Sequence, residues 1–203
     1  MYKRQPKEVA KKADENNPRF QKQMLDVAAG YYKYQKYDDN LRRAPWLCAM
    51  PPPSGPKLSK SKDAGTHGQK VYYVYAKDMA SYIANEKAPD GQVLVKESFV
   101  PLTGDPDAKP FLGVKDQYKA GAKHGLFIMM RLAPGSAGYK DTDDGWIYGT
   151  VTADGKTVTA AGKVQSCMGC HLQAPHDRLF GVPSASVPSG TVKPSGDKPG
   201  PIQ

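Results

Sequence analysis

Cys167 and Cys170 stand in the stretch "QSCMGCHLQAP", residues 165–175, separated by two residues and followed directly by His171, in a chain of 203 residues with only three cysteines. Two thiols at this spacing can each add to one vinyl group of a porphyrin. A histidine in the next position is then held beneath the iron as an axial nitrogen ligand, so C-x-x-C-H is the attachment pattern of c-type haem. Zinc would need four ligands, and Cys48, His67, His124 and His176 are scattered without forming a second ligand pair. A thioredoxin-like dithiol belongs where an early strand enters the helix of a βαβ unit, whereas this motif follows a predicted β-hairpin near the C terminus. A disulfide or a chance pairing is the remaining alternative. One covalent haem c is the expected cofactor, with Cys167 and Cys170 as attachment points and His171 as the proximal iron ligand.

The position of the motif bears on the fold. From about Pro18 to Tyr37, Phe20, Met24, Val27, Ala28 and Tyr31 recur at three- and four-residue steps, which predicts one helix with an apolar stripe, weakened near its end by Gly30. "APWLCAMPPPSGPKLSKSKDAG" follows, with four prolines between positions 51 and 56, and cannot be the interior of an element. Trp46 and Cys48 are its expected anchors. Cys48 reads as a small buried hydrophobe, with an interchain disulfide or an iron contact as alternatives. From position 69 the period changes. "KVYYVYA" reads as a strand, "KDMASYIANEK" as a short helix capped near Asp78, "PDG" as a turn and "QVLVKESFV" as the next strand. Further strands are expected at 125–132 and over 145–162, where Asp154 and Gly155 centre a hairpin. Met129, Met130, Phe127 and Trp146, on these strands, read as core. The predicted class is α+β, mainly an antiparallel β-sheet with a few flanking helices around one covalently bound c-type haem. The predicted divisions are an N-terminal helical region (1–45), a Pro/Lys/Gly-rich loop (46–68), a β-rich haem domain (69–182) and a flexible Pro/Ser/Gly tail (183–203).

The formal charge is +9, from 29 Lys and Arg against 20 Asp and Glu. The basic residues are dispersed and lack the aromatic interleaving that nucleic-acid binding uses, so an acidic redox protein is the expected macromolecular partner and nucleic acid is not. No run of about 18 apolar residues is present, which argues against a membrane span. Covalent haem attachment ordinarily takes place outside the bacterial cytoplasm, so the expected location is periplasmic. The opening "MYKRQPKEVA" has no apolar leader pattern, which for an exported protein reads as a leader already removed.

Small electron carriers of the class I type place the haem cysteines near the N terminus and a methionine ligand far downstream, the reverse of this order. A four-helix cytochrome c prime would need helices where this chain has Pro, Gly and period-two strands. A β-rich domain ending in C-x-x-C-H resembles the cytochrome P-460 family and its relative, the β-sheet cytochrome c prime. Three stretches carry the likeness: "KVYYVYAKDMASYIANEKAPDGQVLVKESFV", "DGWIYG" and "CMGCHL", together spanning about residues 66–172. The resemblance implies an antiparallel sheet with helices around one haem, often a homodimer, and small nitrogen compounds such as hydroxylamine or nitric oxide binding on the distal side.

In hydroxylamine-oxidising members of that family a lysine from the strand after the short helix is covalently joined to the porphyrin, and Lys96 of "LVKES" stands at the matching position. From the strand alternation, Lys96 shares a face with Leu94, Ser98 and Val100. It reads as an exposed edge lysine that discourages strand pairing, as one snorkelling over the haem rim, or as the cross-linked group. His67 of "AGTHGQK" stands where the family tends to keep a side chain capping the open iron face. It could be a sixth ligand, a proton-transferring distal residue or a solvent-exposed loop histidine. His124 is a weaker candidate of the same kind, and His176 is expected near a haem propionate with Arg178. Glu97, Asp143 and Asp144 lie close in sequence to pocket elements. Two functions follow: an oxidoreductase acting on hydroxylamine or a related species and passing single electrons to an acidic partner, or a non-enzymatic electron-transfer or gas-binding cytochrome with a six-coordinate or gated haem.

Overall fold

The computed structural model describes residues 15–37, 57–58, 68, 70–102 and 119–181. Helix α1 (Pro18–Gly30) begins with proline in its first turn, where the missing N–H costs nothing, and Asn17 caps it by accepting a hydrogen bond from the Arg19 N–H at 3.0 Å. It is shorter than the predicted helix. After Gly30 the chain makes one 3₁₀ turn, Tyr31–Lys33, and then enters strand β1 (Gln35–Lys36), because pairing with a later strand captures residues whose apolar period alone would extend the helix.

Strand β3 (Val71–Ala76) has β1 antiparallel to one end of its outer edge and β2 (Lys57–Leu58) to the other. Helix α2 (Met79–Ala84) is capped by Asp78, which accepts from the Ser81 N–H at 3.0 Å, and ends at Asn85 in the left-handed conformation. The Pro89–Gly91 turn leads into β4 (Val93–Leu102). Strand β5 (Lys119–Arg131) starts six residues before the predicted position, since its polar first half is recruited by pairing with β4 beyond a bulge. A hairpin centred on Asp154 and Gly155 joins β6 (Trp146–Thr152) to β7 (Val158–Gly162), and α3 (Gln165–His171) follows at once. The sheet runs β1-β3-β4-β5-β6-β7, with β2 also on β3, and every pairing is antiparallel.

Strand alternation gives this sheet two apolar faces, each with its own cover. On one face Val93, Val95, Leu126, Ile128, Ile147 and Val151 meet Phe20, Met24, Val27, Ala28 and Tyr31 from the α1 segment. On the other, Ala76, Leu94, Trp146 and Tyr148 meet Met79 and Tyr82 from α2, Val164 at the start of α3, and Leu179. Met129, Cys167 and Met168 pack against this second cluster and Met130 against the first. The second face therefore carries the C-x-x-C-H helix.

Candidate haem site

Helix α3 places Cys167 and Cys170 one turn apart on the same side. Cys167 is partly buried against the second core, and burial pushes its thiol up to about 11, whereas Cys170 is exposed. The two are not joined to each other.

His171 ends the helix with a buried ring, 8 % exposed. Its Nδ1 lies 2.7 Å from the Arg178 carbonyl oxygen. A carbonyl can only accept, so Nδ1 carries the proton, and the neutral ring keeps its lone pair on Nε2. Burial pulls the imidazole down to about 4 against the opposing pull of the Arg178 carbonyl, with Lys96 lowering it further, so the ring is neutral at physiological pH. Tyr148 and Phe180 flank it, their ring centroids 5.6 and 5.4 Å away.

Lys96 lies in β4 between Val74 of β3 and Phe127 of β5, on the same face as Leu94 and Ser98. It is not at an edge. The edge-lysine alternative is corrected by the strand order, since both flanks of β4 are paired. Val100, expected on that face too, lies past the bulge and is half exposed. The Lys96 ammonium sits 4.9 Å from the Tyr72 ring centroid. Burial draws it down to about 8, with Cys167 opposing the shift, and it in turn depresses His171. Lys96, Cys167 and His171 thus share one electrostatic neighbourhood although the lysine is some seventy positions upstream. Two residues along the strand, the fully buried Ser98 hydroxyl has no hydrogen-bond partner among the described residues.

This donor set fits haem: two thiols on one helical turn, an imidazole that keeps its lone pair on Nε2, a desolvated amine and, among the described residues, an orphaned hydroxyl on the adjoining sheet face. Among the described residues no three His, Cys, Asp or Glu side chains converge as they would in a zinc cage.

The network behind His171 left no motif in the sequence. Arg178 donates Nε and Nη2 to the two Asp143 oxygens at 3.0 and 3.1 Å, and Tyr148 donates its hydroxyl to Asp143 at 2.9 Å. Burial alone would raise the Asp143 carboxyl, but these hydrogen bonds outweigh it and hold the group below its ordinary value. Asp143 is therefore fully engaged, and Asp144 is exposed in the turn beside it. Glu97 is on the opposite face, where Tyr31 and Tyr75 donate to it at 2.6 and 3.0 Å and Lys123 lies at 3.2 Å. Neither Glu97 nor Asp143 is a spare base for the site. His124 is exposed and stacks on Phe127, the residue paired with Lys96, at 6.1 Å between ring centroids. His176 forms a backbone bridge with Leu179 in the loop that carries Arg178. His67 and Cys48 lie outside the described residues.

A family model described as Cytochrome P460 matches residues 54–180 of the chain. Among curated proteins, no match to the chain is found.

Proposed function

Since the chain belongs to the cytochrome P460 family and is by that membership a haem cytochrome, we propose that it is a mono-haem c-type cytochrome of the periplasm that oxidises small nitrogen compounds such as hydroxylamine, or binds nitric oxide. When bound, the haem supplies a one-electron iron couple and a coordination position for a small ligand. Cys167 and Cys170 are the two attachment points, and α3 presents them one turn apart. His171 would hold the iron through Nε2, its own proton kept on Nδ1 by the Arg178 carbonyl. Tyr148 and Phe180 shield the imidazole from water.

The observation that carries the oxidising reading is the convergence of Lys96 with Cys167 and His171. An amine drawn down to about 8 is neutral in a substantial fraction of molecules at mildly alkaline pH and can then act as a nucleophile, which an ordinary surface lysine does far less. Lys96 is accordingly the candidate for a third covalent link to the macrocycle, in which an N–C bond replaces one ring C–H bond and the two protons and two electrons released pass to a two-electron oxidant such as a peroxide. The net charge of +9 would attract an acidic partner able to take up single electrons, and a homodimer is the assembly the family likeness suggests.

Peptide mass spectrometry of the haem-loaded protein tests this reading. The expected result is haem mass on the peptide containing Lys96 as well as on the one containing Cys167 and Cys170. A Lys96 peptide of unmodified mass would favour a non-enzymatic electron-transfer or gas-binding cytochrome. The reduced spectrum with and without nitric oxide would then show whether a side chain such as His67 occupies the sixth position.

A further inference from the structure

His171 owes its protonation pattern to one carbonyl, and that carbonyl sits in a tight turn closed by backbone hydrogen bonds between His176 and Leu179 at 2.8 and 3.1 Å. Asp177 and Arg178 have φ angles of +48° and +68°, the left-handed region that residues with a Cβ disfavour. Two in succession persist only where their surroundings hold them. Beyond the backbone bonds that close the turn, two ion pairs tie it to separate elements. Arg131, at the end of β5, donates Nη1 to Asp177 at 2.6 Å, with side chains 5 % and 14 % exposed. Asp143, in the turn before β6, takes the Arg178 guanidinium through both carboxylate oxygens. The same carboxylate accepts from Tyr148, whose ring lies against His171. The chain of contacts starts at the imidazole and returns to it.

We propose that Asp143 and Asp177 are positioning residues for His171: the ion pairs Asp143–Arg178 and Asp177–Arg131 anchor the left-handed turn, so that the Arg178 carbonyl stays on Nδ1. This rests on the reading of His171 as the iron ligand. An Nδ1–H bonded to a carbonyl makes Nε2 a stronger donor, which favours ferric over ferrous iron. Releasing the turn weakens that preference and moves the midpoint potential upward.

The test uses the haem-loaded protein and the variants Asp143→Asn and Asp177→Asn, each close to isosteric and unable to keep its ion pair. A pyridine haemochrome spectrum first verifies attachment, and redox titration then gives the potential. In both variants the preference for ferric iron is expected to fall on the order of tenfold, the lower end of the cost of losing a partner behind a metal ligand, which for one electron is an upward shift of about 59 mV. A merely structural role would lower the melting temperature and leave the potential where it was. Variants that load haem and keep the wild-type potential overturn the assignment while leaving His171 as ligand. Wild-type protein that takes up no haem overturns the reading of the site and this assignment together. Should Asp143→Asn fail to accumulate, Tyr148→Phe removes one hydroxyl from the same carboxylate and is expected to shift the potential in the same direction by less. An unchanged potential there also sinks the proposal.

Discussion

A lysine in the interior of a central strand must either be desolvated at a cost or be used. Folding brings Lys96 from its ordinary value of 10.5 down to about 8, so between those values the unfolded chain binds more protons than the folded one. Stability therefore climbs with pH across that window, and the full cost is present below pH 8. In the haem-free chain, Lys96→Met is expected to raise stability at pH 7 by about 2–3 kcal/mol, an advantage that fades towards pH 10.5. Urea titrations of both proteins at pH 7 and pH 10 check this, and equal midpoints at pH 7 would mean that the ammonium keeps its water. The alternation of "LVKES" already placed Lys96 with Leu94 and Ser98. Its partial burial was not legible, because that depends on which strands flank β4.

At the scale of the element, α1 and the sheet are matched through a close approach. Gly149, in the middle of β6, leaves the space that the Met24 thioether fills, and a methyl group at that position would meet the sulfur directly. Met24 is fully buried, so although its side chain is adaptable it has little room to yield. Gly149→Ala is expected to destabilise by about 1–2 kcal/mol. Combined with Met24→Ala, it should cost less than the sum of the two single changes by at least about 0.5 kcal/mol. Thermal melts of the four proteins decide it, and strict additivity would show that the helix rides over the strand without touching it there. The stripe from Phe20 to Tyr31 was legible as a buried helix face because its spacing is local. The sheet face it covers, and the glycine that admits Met24, were not.

Across the whole molecule the two faces of the sheet divide the work. The α1 segment closes one face, where Tyr31 and Tyr75 of β3 hold Glu97. The other carries α2, α3, Lys96 and the Asp177–Arg178 turn. No described helix is long and apolar enough to cross a membrane. The net charge of +9 acts at a range set by salt, since the screening length falls from about 30 Å at 0.01 M to about 3 Å at 1 M ionic strength. Reduction of the haem-loaded protein by an anionic electron donor is therefore expected to slow steeply as salt is added, and by a cationic donor to quicken. Stopped-flow rates across a salt series measure this, and a flat series with the anionic donor would remove the case for an acidic partner.

The sequence by itself determined what depends on near neighbours along the chain: the thiol and imidazole spacing of residues 167–171, the helix stripe, the Asp78 cap, the hairpin at Asp154 and Gly155, and the alternation of the strands. Only the tertiary structure decided that β4 is interior, that Glu97 faces away from the site, and that Asp143 is already spent on Arg178. It also decided that the Nδ1 proton of His171 rests on the Arg178 carbonyl, held by partners 35 and 46 residues away along the chain. Spacing and propensity act over a few residues, whereas burial, strand order and the charge a side chain meets come from segments that the sequence separates and only packing brings together.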